Sequence, residues 1–165
     1  MAKFKVGIVM GSKSDLETMN GAVKVLKEFG IETDTRVISA HRTPAAAHDF
    51  GSKARERGFG VIIAGAGKAA HLAGVMASLT TLPVIGVPMK TSDLGGLDSL
   101  LSTVQMPGGI PVATTAIGNS GAKNAGILAV QILALQDNEL LKKLEDYRAK
   151  MTKDVETADA EVRNG

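Results

Sequence analysis

A histidine and an arginine stand side by side in the stretch Ser39-Ala40-His41-Arg42-Thr43-Pro44. Histidine gains and loses a proton near neutral pH. Arginine offers a rigid fork of donors to a phosphate or carboxylate. The stretch follows an extended apolar segment and runs into an alanine-rich helix. Thr43 is a suitable N-cap and Pro44 a suitable first helical residue. His41 and Arg42 therefore fall in a loop at the carboxyl end of a strand, the edge where open α/β sheets bind ligands. A capped helix carrying an exposed basic pair would have the same local sequence, so the other loops must decide.

Two further stretches carry suitable residues. Gly11-Ser12-Lys13-Ser14-Asp15 joins an apolar run to a helix. Backbone N–H groups and hydroxyls at a helix start form an anion site. Ser12 and Ser14 suit phosphate oxygens, and Asp15 suits ribose hydroxyls. Capping by Ser14 or Asp15 is the plainer role. Gly65-Ala66-Gly67-Lys68-Ala69-Ala70-His71-Leu72 lets a small ligand approach bare backbone. Alone, His71 reads as a structural histidine, and His48 has no assigned role. The Gly65-x-Gly67-x-x-Ala70 spacing matches a relaxed dinucleotide fingerprint, but it lies in the third β-α unit and no acid ends the next strand. Gly67-Lys68 also fails as a phosphate-binding P-loop. Ala69 replaces the Ser/Thr, and Ile62 stands where the first Gly belongs.

The elements that must position these loops follow from periodicity. Strands are predicted at Phe4–Met10, Ile31–Ile38, Phe59–Ala64, Val84–Val87 and Val112–Ile117. Helices are predicted from Asp15 to Phe29, from Pro44 to near Gly58, from the third loop to Leu79 and from Ala122 to Leu135. Ser92–Val104 reads as loop with a helical piece, and Met106–Pro111 as an irregular turn. Five β-α units with short links imply an α/β fold: a flavodoxin-like three-layer sandwich on a five-stranded parallel sheet. Residues 1–136 form that domain. Residues 137–165 form a C-terminal helical extension used in assembly, not a separate domain. In the tail, Leu141, Leu144, Tyr147, Met151, Val155, Ala158 and Val162 make one stripe, with Glu139/Lys143 and Asp146/Lys150 as outer ion pairs. The helix Ala122–Leu135 is apolar around nearly its whole circumference, which predicts burial on all sides. Both features predict a homo-oligomer.

Composition narrows the chemistry. The 165 residues carry a formal net charge of +2, which gives no electrostatic footprint for nucleic acid. There is no cysteine, so thiolate chemistry and disulfides are excluded. Met1-Ala2-Lys3-Phe4 enters a strand pattern directly, without a signal-peptide pattern, and the expected location is the cytoplasm. The apolar zone Val61–Leu79 is broken by Lys68, His71 and glycines, so no membrane span is expected. No metal-ligand spacing appears. A flavin site would want an aromatic ring, and the first three loops hold none. What remains is proton transfer on a small phosphorylated sugar compound.

Together with Gln105-Met106-Pro107-Gly108-Gly109, the three loop motifs resemble the PurE family, the N5-carboxyaminoimidazole ribonucleotide mutases of purine biosynthesis. The similarity spans Lys5–Leu135, and the intact Ser-Ala-His-Arg-Thr-Pro resembles the bacterial mutase branch. The resemblance implies an octamer with sites at subunit contacts and a nucleotide substrate. It implies that His41 is the acid/base and that Ser12, Asp15 and Arg42 bind the ribose phosphate. Gly11, Ser14, Ser39 and Ala40 complete the substrate contacts. Ala66, Gly67, Ala70, His71 and Leu72 surround the migrating carboxyl group. No cofactor and no metal are implied. The alternatives are a carboxylase that adds CO2 directly to aminoimidazole ribonucleotide and, more distantly, a non-catalytic flavodoxin-like binding module. Two residues depart from the family pattern: Lys68 stands where Gly is usual, and Ala73 where Pro is usual. A lysine resists positive φ, and losing the proline softens the start of the next helix.

Overall fold

The computed structural model describes residues 4–165; Met1–Lys3, read from sequence as leading into the first strand, lie outside the described residues. Five parallel strands, β1 (Lys5–Met10), β2 (Thr33–Val37), β3 (Phe59–Ala66), β4 (Val84–Pro88) and β5 (Ala113–Thr114), form one sheet in the order β2-β1-β3-β4-β5. Helices α1 (Leu16–Glu28), α2 (Pro44–Ser52), α3 (Leu72–Leu79), α4 (Leu97–Val104), α5 (Asn119–Ala134) and α6 (Asn138–Asn164) follow the strands or extend the chain. This is the expected three-layer α/β sandwich. The winding direction reverses between β1 and β3, which opens a crevice at their carboxyl ends.

β1, β3 and β4 are apolar because both sheet faces are covered there, whereas the edge strand β2 is mostly polar and partly exposed. On one face Val6, Ile8, Val61, Ile63 and Ile85 pack under α1 and α5, joined by Leu140 and Leu144 of α6. On the other, Val9, Ile62, Ala64 and Val84 meet α2 and α3. A Cβ at Gly7 would lie 2.9 Å from the Phe59 ring, so the absent side chain sets how closely that ring packs.

Several boundaries differ from the sequence reading. The helix after Pro44 stops at Ser52 rather than near Gly58. Lys53, Arg55, Glu56 and Arg57 offer no continuous apolar face, and turns closed by Ala54 N–H to Gly51 O (3.3 Å) and Gly58 N–H to Arg55 O (3.0 Å) lead into β3. The predicted strand Val112–Ile117 contributes only Ala113 and Thr114 to the ladder. It is an edge strand, and beyond the ladder the chain stays tied to β4 by single bonds, Thr115 N–H to Gly86 O at 3.0 Å and Gly118 N–H to Pro88 O at 2.9 Å. Helix α3 begins regularly at Leu72 with no side-chain cap, so Ala73 does not prevent the turn from forming.

In the single chain the two C-terminal helices leave apolar residues uncovered, and the ion pairs expected on the second of them differ. Helix α5 buries Ala122, Ala125, Ala129, Val130 and Leu133, while Ile127, Leu128 and Ile132 stay partly exposed and Leu135 is 84% exposed. The predicted Glu139/Lys143 and Asp146/Lys150 pairs are absent among the described residues. Lys143 instead donates to Phe29 O at 3.1 Å, an orphan carbonyl at the end of α1, and Asp146 faces Lys142 at 3.7 Å. Helix α6 is one 27-residue helix capped by Asp137, whose carboxylate accepts from Glu139 N–H at 3.0 Å and Leu140 N–H at 3.1 Å. Its first half docks through Leu140, Leu144 and the Tyr147 ring, 5.8 Å from that of Phe29. Beyond Tyr147 every residue is exposed.

The tightest backbone approach lies where the chain turns into α5. An added Cβ at Gly121 would run into the Ala116 carbonyl oxygen, a backbone atom that cannot swing away. Gly121→Ala is expected to cost about 3 kcal/mol or more. Urea unfolding checks this, and an unchanged midpoint would show that the 116–121 turn repacks freely.

Candidate active site

The carboxyl ends of β1 to β4 surround a cavity of about 510 Å³. Its first wall is the loop after β1. Asp15 occupies the N-cap position of α1 without a side-chain bond into that helix, and the side-chain cap is supplied one turn earlier by Ser12. Its Oγ accepts from Ser14 N–H at 3.3 Å, while Asp15 Oδ2 accepts from Ser12 N–H at 3.2 Å, a reciprocal capping box around a 3-10 turn. Ser14 Oγ also lies 2.9 Å from Ser12 Oγ and 3.3 Å from Asp15 Oδ1. Both hydroxyls and the carboxylate are thereby placed on the cavity with Gly11. Burial pushes the Asp15 carboxyl above its ordinary range, and bonds from Ser14 and the Ser12 N–H, with the Arg42 charge, only partly oppose this.

The second wall is the loop after β2. Thr43 holds the N-cap position of α2, ahead of Pro44, but its side chain makes no capping bond; it turns back, and its Oγ1 accepts from Ser39 N–H and donates to Ser39 O, both at 3.0 Å. Ser39 Oγ accepts from Arg42 N–H (3.2 Å) and Arg42 Nε (3.3 Å). Arg42 Nη2 then reaches the first loop and donates to Gly11 O at 2.7 Å. Ala40 and His41 complete this wall.

The third wall follows β3, which runs two residues further than the sequence reading placed it, to Ala66. Ala66, Gly67, His71 and Leu72 line the cavity. Ala70 does not: it is 1% exposed and packs beneath the loop. Lys68 does adopt positive φ, at 60°, a conformation that costs a non-glycine residue roughly 1–2 kcal/mol. It is held by its N–H donating to the buried Ser99 Oγ at 2.9 Å. His71 reaches the second wall. Its Nδ1 lies 2.9 Å from His41 Nε2, with the rings edge to face. One nitrogen carries the shared proton and the other accepts it. His48 is exposed on α2, away from the cavity wall.

A fourth wall, Met89 to Ser92, escaped the sequence reading, as did Lys68 and Ala69 as lining residues. The available signal was positional: Pro88 ends a strand at the same edge, but Lys90-Thr91-Ser92 has no spacing that singles it out.

Comparison with known proteins identifies the family. The AIR carboxylase family model matches residues 5–154. The chain belongs to this family. A relative in Aquifex aeolicus named N5-carboxyaminoimidazole ribonucleotide mutase is 61% identical over 140 residues, covering 85% of this chain and 83% of the relative. One of the same name in Thermotoga maritima is 57% identical over 151 residues, covering 92% and 87%. The crystal structure of Treponema denticola PurE matches with a TM-score of 0.85 at 28% identity, covering 94% of this chain and 96% of that one. Among the described residues, no helix of this AIR carboxylase family member is long and apolar enough to cross a membrane.

The raised Asp15 pKa has a signed consequence. A carboxyl that folding pushes upward is harder to ionise in the folded state, so ionising it subtracts stability. That cost is absent well below the unfolded carboxylate pKa, and it grows as pH rises through that value to the raised one. Asp15→Asn keeps one acceptor for Ser12 N–H and is expected to raise the melting temperature at pH 7, with the gain shrinking below pH 4. Thermal melts across that range check it; a lower melting temperature at pH 7 would mean the capping charge outweighs the burial cost.

Proposed function

We propose that this chain is an N5-carboxyaminoimidazole ribonucleotide mutase, converting its substrate to 4-carboxy-5-aminoimidazole ribonucleotide through CO2 held in the site. The His41–His71 contact on the wall shared with Arg42 carries the reading, supported by the names of the 57–61% identical relatives. Protonated His41 donates through Nε2 to His71 Nδ1 and keeps its Nδ1–H for the substrate. That proton passes to the carbamate nitrogen, the N–C bond breaks with its electrons on nitrogen, and CO2 leaves. The freed amine pushes electron density to ring C4, which attacks the CO2 carbon. The C4 proton returns to His41 and the ring regains aromaticity, so His41 ends as it began. Ser12 and Arg42 take the phosphate, with Gly11 and Ser14 beside them. Asp15 takes the ribose hydroxyls. Ser39 and Ala40 shape the second wall. Ala66, Gly67 and Leu72 leave a small apolar chamber for CO2, with Ala70 supporting it from below.

The reading extends to assembly and location. His41 and Arg42 are exposed in the single chain, whereas CO2 retention needs a site closed to water. Leu97, Leu101 and Val104, each about half exposed, make a stripe on α4 next to the fourth loop, and Met151, Val155 and Val162 are exposed on distal α6. Further copies covering these stripes, to a homo-octamer, would complete the site. The catalytic domain is 1–136 with 137–165 as its extension, and the enzyme works in the cytoplasm without metal or cofactor.

Assaying the carbamate and the free aminoimidazole ribonucleotide on one preparation, with bicarbonate varied, tests the activity. Conversion of the carbamate at a rate independent of bicarbonate is expected; turnover only of the free amine with bicarbonate would make it a direct carboxylase. His41→Asn should lower kcat by about 10²–10⁴-fold, at the upper end because it acts twice, with product affinity retained. His71→Asn should fall between, and His48→Asn should match the parent. Turnover of His41→Asn near the parent rate would remove His41 from the chemistry.

Truncation after Arg148 tests assembly, because it spares Leu140, Leu144 and Tyr147. A smaller species by sedimentation is expected; an unchanged assembly would free distal α6 from the interface.

A further inference from the structure

The third loop is pinned in two different ways at Lys68. Its backbone is held by α4: Ser99 Oγ accepts from the Lys68 N–H at 2.9 Å, and Ser102 Oγ donates to the Lys68 carbonyl at 3.3 Å. Ser99 is completely buried, so this pin is shielded from water. The side chain is held differently. The Lys68 ammonium lies 2.5 Å from Asp93 Oδ2, with side chains 68% and 59% exposed. Lys68 lines the cavity, and Asp93 follows Ser92, the last lining residue of the fourth loop. The ion pair therefore spans the cavity rim from the third loop to the fourth. Each partner favours the charged form of the other, raising the Lys68 pKa and lowering that of Asp93. Both stay ionised through the neutral range.

Carbon dioxide, freed by cleavage of the carbamate, carries no charge and few groups for a protein to grip. Its retention depends on closing the walls. Before His71, the lining residues of the third loop are Ala66, Gly67 and Ala69, whose side chains are too small to seal a rim, and Lys68. A left-handed lysine persists only where its surroundings hold it, and here that conformation sends the one long side chain across to the facing loop.

We propose that the Lys68–Asp93 pair is a strap over the carboxyl chamber that sets how much of the freed CO2 is recaptured by the ring carbon and how much escapes. The proposal rests on the mutase reading above. Lys68 acts here as a positioning residue, holding two loops together rather than touching the reacting atoms. When the strap opens, the first half of the reaction still balances: His41 gives its proton to nitrogen, the N–C bond breaks, CO2 diffuses away, and free aminoimidazole ribonucleotide remains. His41 then recovers its proton from solvent.

The test uses the full-length enzyme and the carbamate substrate, with the spontaneous decay subtracted. Lys68→Met and Asp93→Asn each remove one charge. The exchange Lys68→Asp with Asp93→Lys restores opposite charges, and aspartate tolerates left-handed backbone better than most residues. The readout is the fraction of consumed substrate that ends as free amine, with entry of ¹³C from labelled bicarbonate into product as a second measure. Each single variant is expected to raise both several-fold with little change in KM, and the exchange to reverse most of the rise. Salt at about 1 M, where the screening length is about 3 Å, should raise escape in the parent but not in the single variants. Folded single variants with the parent's escape fraction and isotope entry would overturn the strap. So would an exchange variant that stays as leaky as the singles. A parent enzyme that does not convert the carbamate at all would instead remove the mutase reading, so the two failures are separable.

Discussion

The site depends on one constraint: β1 is paired in parallel on both edges and buried on both faces. A strand so placed cannot shift against β2 or β3 without breaking two ladders and inverting an apolar core. The ladders continue past the strand ends into the loops. Ile38 N–H donates to Met10 O at 2.8 Å, and Gly11 N–H donates to Gly65 O at 3.1 Å. The Arg42 bond to Gly11 O then ties the histidine loop to the first loop. The three chemistry-bearing walls are therefore extensions of the sheet's hydrogen bonding, which gives short loops a fixed mutual geometry.

The same rigidity lets the third loop be built almost entirely from small residues. At the end of β3, Gly65 sits where a Cβ would lie 2.5 Å from Met19 Sδ and 2.7 Å from Met89 Cε, so core side chains pack directly against bare backbone beneath the loop. Packing of this kind leaves a small chamber but little side chain to regulate it. The structure places an exposed ion pair and a left-handed lysine at the rim. At the opposite wall it half-buries a carboxylate whose ionisation folding disfavours. Departures from low-energy local structure thus gather around the cavity, while the sheet beneath them is regular.

Sequence reading succeeded where a local pattern had one physical cause. Apolar runs bounded by Gly and Pro marked β1, β3 and β4, because only strands buried on both faces lack a polar side. It failed where the cause was a contact distant in sequence. Lys143 turned to the Phe29 carbonyl instead of Glu139, because an orphan carbonyl competes well with an exposed carboxylate. Thr43 turned back to Ser39. Ala70 reads like its neighbours, yet it lies under the loop because Lys68 reverses the local backbone. The Met89–Ser92 wall was hidden because its residues have no diagnostic spacing.

By itself the sequence determined the α/β class and the position of His41, Arg42, Ser12 and Asp15 in loops at the carboxyl edge of the sheet, residues whose types suit proton transfer and phosphate or ribose contact. Residue type, period and turn chemistry suffice for those, since each is a property of neighbours in the chain. Only the tertiary structure decided that His71 meets His41, that Arg42 bridges to Gly11, and that Lys68 pairs with Asp93 across the rim. Those contacts join residues 25 or more positions apart. Their geometry is fixed by the order and register of strands, and no short-range pattern encodes it.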